Sequence, residues 1–173
     1  MIYNKILVAL DNSLQASKVF QEALDIAQKT GSQLMLFHCI TNTSFENEPI
    51  FIGTIADVDM YGTFHKQHQK HLLSEIEKVK GWLQSYCQQA NVRKISAEFK
   101  YEFGEVGKEI CNAAKSWDAD LIVLGRRGHK GVTEILLGSV SNYVLHHAPC
   151  SVLTVQTKVV TSPESVKTDG MES

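Results

Sequence analysis

The sequence predicts an α/β fold: an open, mostly parallel sheet covered by helices on both faces. Three observations carry that expectation. Five short segments, KILVAL, LMLFHCI, ISAEFKYEF, DLIVLG and SVLTVQ, have the length and composition of strands. Between them lie segments with helical apolar spacing, and parallel strands need crossovers of the kind a helix supplies. A length of 173 residues suits one domain with its own core and crowds two.

The elements follow in order. Lys5 to Leu10 is an apolar strand that runs into Asp11-Asn12-Ser13, side chains suited to capping a helix N-terminus. In the helix that follows, Ala16, Val19, Phe20, Ala23, Leu24 and Ala27 form the buried face, and Gly31 stands where a C-terminal cap belongs. Leu34 to Ile40 is a second buried strand. Thr41 to Thr63 is polar, contains glycine and has no period, which predicts a long loop.

From Phe64 to Ala90 a stripe of Leu72, Ile76, Val79, Leu83, Cys87 and Ala90 predicts a long helix, with Gly81 a mild internal cost. Ile95, Ala97, Phe99, Tyr101 and Phe103 alternate with mostly polar neighbours, the pattern of an edge strand with one wetter face. Val106, Ile110, Ala113 and Trp117 mark a third helix, DLIVLG a continuous buried strand, and SVLTVQ, after Pro149, the last strand. Residues 1–156 are thus the expected folded domain. Residues 157–173, rich in Ser, Thr, Lys and Glu, read as a solvated tail.

Composition narrows the function. Seventeen Lys and Arg against nineteen Asp and Glu leave a formal charge of −2, which offers no broad cationic field to a nucleic-acid backbone or an anionic membrane. No segment approaches the roughly 18 apolar residues of a membrane span, and the N-terminal apolar run breaks at Asp11 before a secretory segment forms. A cytoplasmic protein without nucleic-acid or membrane partners is expected. Cys39, Cys87, Cys111 and Cys150 fall in separate segments with no CxxC pair, so buried, reduced thiols are expected in place of a zinc or dithiol site. His65, His68 and His71 look like a metal cluster, but at about 100° per residue the outer two lie about 120° apart around a helix and cannot converge on one ion.

The chemistry concentrates in GRRGHKGVTEILLGSVS, Gly125 to Ser141, which holds four of the chain's eleven glycines. Leu121 to Leu124 brings the chain to the carboxyl end of a central strand, the edge at which open α/β sheets bind ligands. Gly125 and Gly128 follow at once, where glycine lets main-chain amides approach a ligand and form an anion-binding turn. After nine intervening residues Gly138 and Ser139 open the final helix, whose N-terminus presents free N–H groups to an anion. Ser139 and Ser141 offer hydroxyl donors, and Arg126, Arg127 and Lys130 offer positive charge. These are two phosphate cradles joined by a short apolar turn. The P-loop pattern GxxxxGK[ST] is absent, and the first strand ends in ALDNS where a dinucleotide fingerprint needs GxGxxG.

The spacing G-x2-G-x9-G-[ST], here Gly125, Gly128, Gly138 and Ser139, resembles the ATP-binding signature of the universal stress protein family. The resemblance extends to VALDNS, HCI, GEVGKEI, ADLIVLGRRG and LLGSVSNYVLHHAPCSVLTV. It implies a five-stranded parallel sheet of the Rossmann-like, adenine nucleotide alpha hydrolase-like kind. It also implies ATP as ligand, with or without Mg2+, and ADP or AMP as alternatives. By the same resemblance Ala9 and Asp11 frame the base and ribose, Cys39 lends main-chain contacts and Leu124 borders the nucleoside. Gly125, Gly128, Gly138, Ser139, Val140 and Ser141 would hold the phosphates, and the last strand would pair across a homodimer axis. Arg126 departs from many relatives, which carry a small residue there.

Three functions stay open. One is an ATP-binding regulatory stress-response homodimer whose nucleotide state alters its interaction with protein partners. A second is a slow ATPase or a phosphoryl or adenylyl transferase using the same pocket, although Glu134 is the only carboxylate within the glycine stretch. The third is a nucleotide-free interaction module.

Overall fold

The computed structural model describes residues 3–41, 58–126 and 137–156, with the main chain alone for 58–69. Along the chain it contains β1 (Lys5–Ala9), α1 (Ala16–Thr30), β2 (Gln33–Ile40), α2 (Val58–Val92), β3 (Ala97–Phe103), α3 (Val106–Trp117), β4 (Leu121–Gly125), α4 (Ser139–His147) and β5 (Ser151–Val155). The strands form one sheet in the order β3-β2-β1-β4-β5, and every neighbouring pair is parallel. The fold is the α/β sheet that the sequence predicts.

Two apolar layers flank the sheet. On one face Ile6, Val8, Leu34, Leu36, Leu121 and Val123 pack under Phe20 and Leu24 of α1 and Leu83 and Cys87 of α2. On the other, Leu7, Phe37, Ile122 and Leu124 pack under Ile110 and Ala113 of α3 and Val144 of α4. Central strands are covered on both sides, which is why β1 and β4 are continuous apolar runs and not alternating ones. β3 lies at an edge, as its alternation predicts. Ala97, Phe99 and Tyr101 pack against the α1 and α2 layer, while Glu98 and Lys100 face solvent.

The order of the strands positions the site. From β1 the chain builds outward to β2 and β3, then crosses to the far side of β1 for β4 and β5. Connections therefore diverge between β1 and β4, and a crevice opens at their carboxyl ends. At the opposite end of the sheet, Asp120 Oδ2 accepts hydrogen bonds from the main-chain N–H groups of Asn4, at 2.8 Å, and Lys5, at 2.9 Å. These two amides hold the Asp120 carboxyl below its ordinary pKa.

Helix α1 buries Ala16, Val19, Phe20, Ala23, Leu24 and Ala27. It ends at Gly31, whose φ of 73° is left-handed and whose N–H reaches the Ala27 carbonyl at 2.8 Å. Its start corrects the sequence expectation. Asp11 does not cap α1, because its Oδ1 accepts the N–H of Ser13 at 3.2 Å and the Ser13 hydroxyl at 2.5 Å, a local turn that competes with capping. Ser13 Oγ in turn accepts the N–H of Gln15 at 3.3 Å, and the helix begins at Ala16.

A second correction concerns the expected loop from Thr41 to Thr63. Helix α2 already begins at Val58, so residues 58–63 are helical, and 42–57 lie outside the described residues. Once the buried turns around Leu83, Cys87 and Ala90 have docked, each residue added ahead of them gains a hydrogen bond without a new nucleation cost.

Candidate functional site

The crevice is built from strand ends. Ala9 stands in register with Leu124, so β1 and β4 finish side by side. Beyond Ala9, both main-chain polar groups of Leu10 are held by β2. Its N–H donates to the Phe37 carbonyl at 2.9 Å, and its carbonyl lies 2.8 Å from His38 Nδ1. Asp11 follows, partly buried, with Oδ1 occupied by Ser13.

The second wall joins the end of β4 to the start of α4. Arg126 donates its N–H to the Val155 carbonyl at 2.9 Å, and Gly138 donates its N–H to the Arg126 carbonyl at 3.0 Å. The Ser141 hydroxyl lies 2.9 Å from the carbonyls of both Gly125 and Arg126. A strand end and a helix start separated by a dozen residues are thereby clasped together. Gly138 is the N-cap of α4 with φ −63° and ψ 156°, and its carbonyl closes the first turn by accepting from Asn142 at 2.9 Å. The N–H groups of Ser139, Val140 and Ser141 precede any intrahelical acceptor and sit at the positive end of the helix dipole.

Helix α4 is seated by α3. Gly107, buried on α3, lies so close to Tyr143 that a Cβ there would stand 2.7 Å from Tyr143 Cδ1 and 3.0 Å from Cγ. This close approach lets α4 lie against α3 with Val144 fully buried.

The residues expected at the site divide by position. Ala9, Asp11, Leu124, Gly125, Gly138, Ser139, Val140 and Ser141 occupy the carboxyl ends of β1 and β4 and the start of α4. Gly128 lies outside the described residues, as do Arg127, Lys130 and Glu134. Cys39 is on β2, with its side chain toward α3 and its Sγ 3.5 Å from the Gly104 carbonyl. Gln33 donates to Asn4 and Leu34 to Ser96, so alternation turns the main chain of Cys39 toward the β1 side. Burial first, then Glu109 and Glu102, pushes the Cys39 thiol up to about 11.

One expectation changes outright. The Ser141 hydroxyl is not an outward donor, because the residue is only 2% exposed and its Oγ bridges two carbonyls. Its main-chain amide, like those of Ser139 and Val140, lies in the first turn of α4, ahead of any intrahelical acceptor. His38, against the Leu10 carbonyl, and Gly107, against Tyr143, were not singled out from the sequence. The signal for Gly107 was a glycine inside a helical pattern, and that for His38 a polar residue inside an apolar strand. The four cysteines are free thiols, but only Cys39 and Cys87 are buried, and Cys111 and Cys150 are partly exposed. Among the described residues no group of three His, Cys, Asp or Glu side chains could hold a metal ion, and no helix is long and apolar enough to cross a membrane. The side chains of His65 and His68 lie outside that description.

Known proteins share both the sequence and the fold. Universal stress protein Sll1388 of Synechocystis sp. is 46% identical over 158 residues, covering 90% of this chain and 99% of that protein. Universal stress protein YxiE of Bacillus subtilis is 30% identical over 159 residues, covering 90% of this chain and all of its own length, 100%. Among solved structures, universal stress protein UspA from Lactobacillus plantarum superposes with a TM-score of 0.70 at 24% identity, over 90% of this chain and 99% of that one. A universal stress protein in complex with cAMP gives 0.61 at 18% identity, over 91% and 100%. The universal stress protein from Archaeoglobus fulgidus in complex with dAMP gives 0.57 at 22%, over 89% and 98%. At these identities the structural likeness establishes the fold. Residues 2–156 match the universal stress protein family, and the chain belongs to that family.

Proposed function

We propose that this protein is an ATP-binding regulator that holds an adenine nucleotide at the carboxyl ends of β1 and β4. The observation that carries the reading is the clasp at the switch point of the sheet. There Gly138 and Ser141 fasten the N-terminus of α4 to Gly125 and Arg126, and the leading amides of α4 would meet a phosphate in the crevice between β1 and β4. Ala9, Asp11, Leu124 and the main chain of Cys39 would receive the base and ribose. Gly125, Gly128, Gly138, Ser139, Val140 and Ser141 would receive phosphate through main-chain amides. The small side chains at Ala9, Gly125 and Gly138 suit close approach of a ligand. The cAMP and dAMP bound by structural neighbours share adenine and one phosphate with ATP, ADP and AMP, which supports the class of ligand. Mg2+ would enter with the phosphates.

Binding is favoured over turnover. Phosphoryl transfer needs a base and groups that stabilise charge at the transferred phosphate. The described residues at the crevice offer main-chain amides, the Ser139 hydroxyl and the Arg126 side chain, and their one carboxylate, Asp11, is already engaged by Ser13. Residues 1–156 would act as one nucleotide-binding domain of a cytoplasmic homodimer paired through β5, an edge strand on which Leu153 is 36% exposed. The nucleotide state would then alter the surface shown to a protein partner.

The test is to denature freshly purified protein, identify released nucleotide by mass spectrometry, and measure thermal shifts with ATP, ADP and AMP, each with and without Mg2+. A ligand at a hundred times its Kd should add about 2.7 kcal/mol of stability. Gly138→Val should abolish that gain and keep the fold, since φ −63° and ψ 156° are open to any L residue. Normal binding by this variant would show that the phosphates lie elsewhere.

A further inference from the structure

The end of β1 is aimed by a side chain of β2 that also touches α2. Up to Leu10 the two strands exchange main-chain hydrogen bonds, the last of them from the Leu10 N–H to Phe37. At the next step the Leu10 carbonyl pairs with His38 Nδ1 at 2.8 Å, so a side chain continues the ladder where the main chains part. A carbonyl only accepts, so Nδ1 carries the proton and, in the neutral ring, Nε2 is left as an acceptor. The same imidazole meets Trp82 of α2 edge to face, with ring centroids 5.4 Å apart. Trp82 meets Tyr86 at 5.6 Å, and Tyr86 meets Phe20 of α1 at 4.6 Å. An unbroken contact path therefore runs from the main chain between Ala9 and Asp11 into the packed half of α2.

We propose that His38 is a positioning residue of the nucleotide pocket, fixing the strand end that receives the base and ribose, and that through it α2 senses occupancy at Trp82. The proposal rests on the adenine nucleotide reading above. Any ligand that presses on residues 9–11 must either leave the Leu10 carbonyl where His38 holds it or move the imidazole. Moving the imidazole changes the ring contact with Trp82, because packed aromatic rings have few alternative arrangements. Trp117, the chain's other tryptophan, is an internal reference. Its Nε1 donates to Glu98 at 2.8 Å and its carbonyl accepts from Lys5 Nζ at 3.1 Å, both at the opposite end of the sheet from the crevice.

The experiment pairs equilibrium dialysis of AMP and ATP against the full chain with nitrogen-15 NMR of the two indole N–H groups, assigned by Trp82→Phe and Trp117→Phe. The Trp82 signal should move in step with saturation while that of Trp117 stays. His38→Leu should bind about tenfold more weakly and lose the Trp82 response. His38→Asn, which keeps a side-chain N–H close to the position of Nδ1, should recover most of the affinity. A purely structural role would lower the stability of both variants without separating their affinities. The proposal is overturned if nucleotide binds and Trp82 does not respond, if His38→Leu binds as the wild type does, or if Asn rescues nothing. Should His38→Leu fail to fold, the wild-type titration and His38→Asn decide. If the wild type binds neither AMP nor ATP in dialysis, the nucleotide reading itself fails and this proposal goes with it.

Discussion

The hydroxyl of Ser141, in the first turn of α4, lies 2.9 Å from the carbonyl of Gly125 at the end of β4. A single buried oxygen thus links the last residue of a central strand to a helix sixteen positions later, and it reaches the Arg126 carbonyl at the same distance. Ser141→Ala removes that link. Leaving a buried carbonyl unpaired costs about 1–3 kcal/mol, so the urea midpoint should fall accordingly. Nucleotide affinity should fall as well, because the α4 amides lose their fixed aim. Unchanged stability would mean that water replaces the hydroxyl.

Gly107 and Tyr143 predict a reversal of sign. Gly107→Ala places a methyl group 2.7 Å from Tyr143 Cδ1, and overpacking of this kind costs about 1–3 kcal/mol, against a gain in helix propensity of about 1 kcal/mol. The variant should be destabilised on balance. In a Tyr143→Gly background the ring atoms and the Tyr143 Cβ, itself 3.1 Å away, are all gone, and the same change should become stabilising. A double-mutant cycle by chemical denaturation measures the difference.

Asp120 sets an acid limit. Its carboxyl is held below the ordinary value by the amides of Asn4 and Lys5, so the folded state binds its proton less tightly than the unfolded chain does. The stabilisation is fully present above the unfolded carboxylate pKa of about 3.9. It is lost as pH falls through the lower folded value. Asp120→Asn should therefore lower the urea midpoint at pH 7, and the gap from wild type should close only in strong acid.

The thiols set an alkaline limit. Cys39 is raised to about 11, and burial also raises Cys87, Cys111 and Cys150. Unfolded thiols ionise near 8.5, so above that pH the unfolded chain releases protons that the folded chain keeps, and stability falls with rising pH toward about 11 for Cys39. Cys39→Ser should flatten part of that decline. At pH 7.5 native Cys39 should react with iodoacetamide far more slowly than the denatured chain.

The order and type of the elements were legible in the sequence because burial writes them there. Continuous apolar runs mark β1, β2 and β4, alternation marks β3 at an edge, and helical stripes with Gly31 as a stop mark the crossovers. The glycine and serine spacing from Gly125 to Ser141 was legible for the same kind of reason, since small residues at a strand end and a helix start form a local pattern.

Partnership was decided only in three dimensions. Nothing local turned the Ser141 hydroxyl inward onto Gly125. Nothing local told His38 to complete the ladder at Leu10, or required Gly107 to be bare for Tyr143. Each of these depends on an atom brought near by the sheet order, from up to 36 positions away in the case of Gly107 and Tyr143. Propensity and periodicity report how a residue meets its own element and the water around it. The choice of a hydrogen-bond or packing partner is made when the strands find their order.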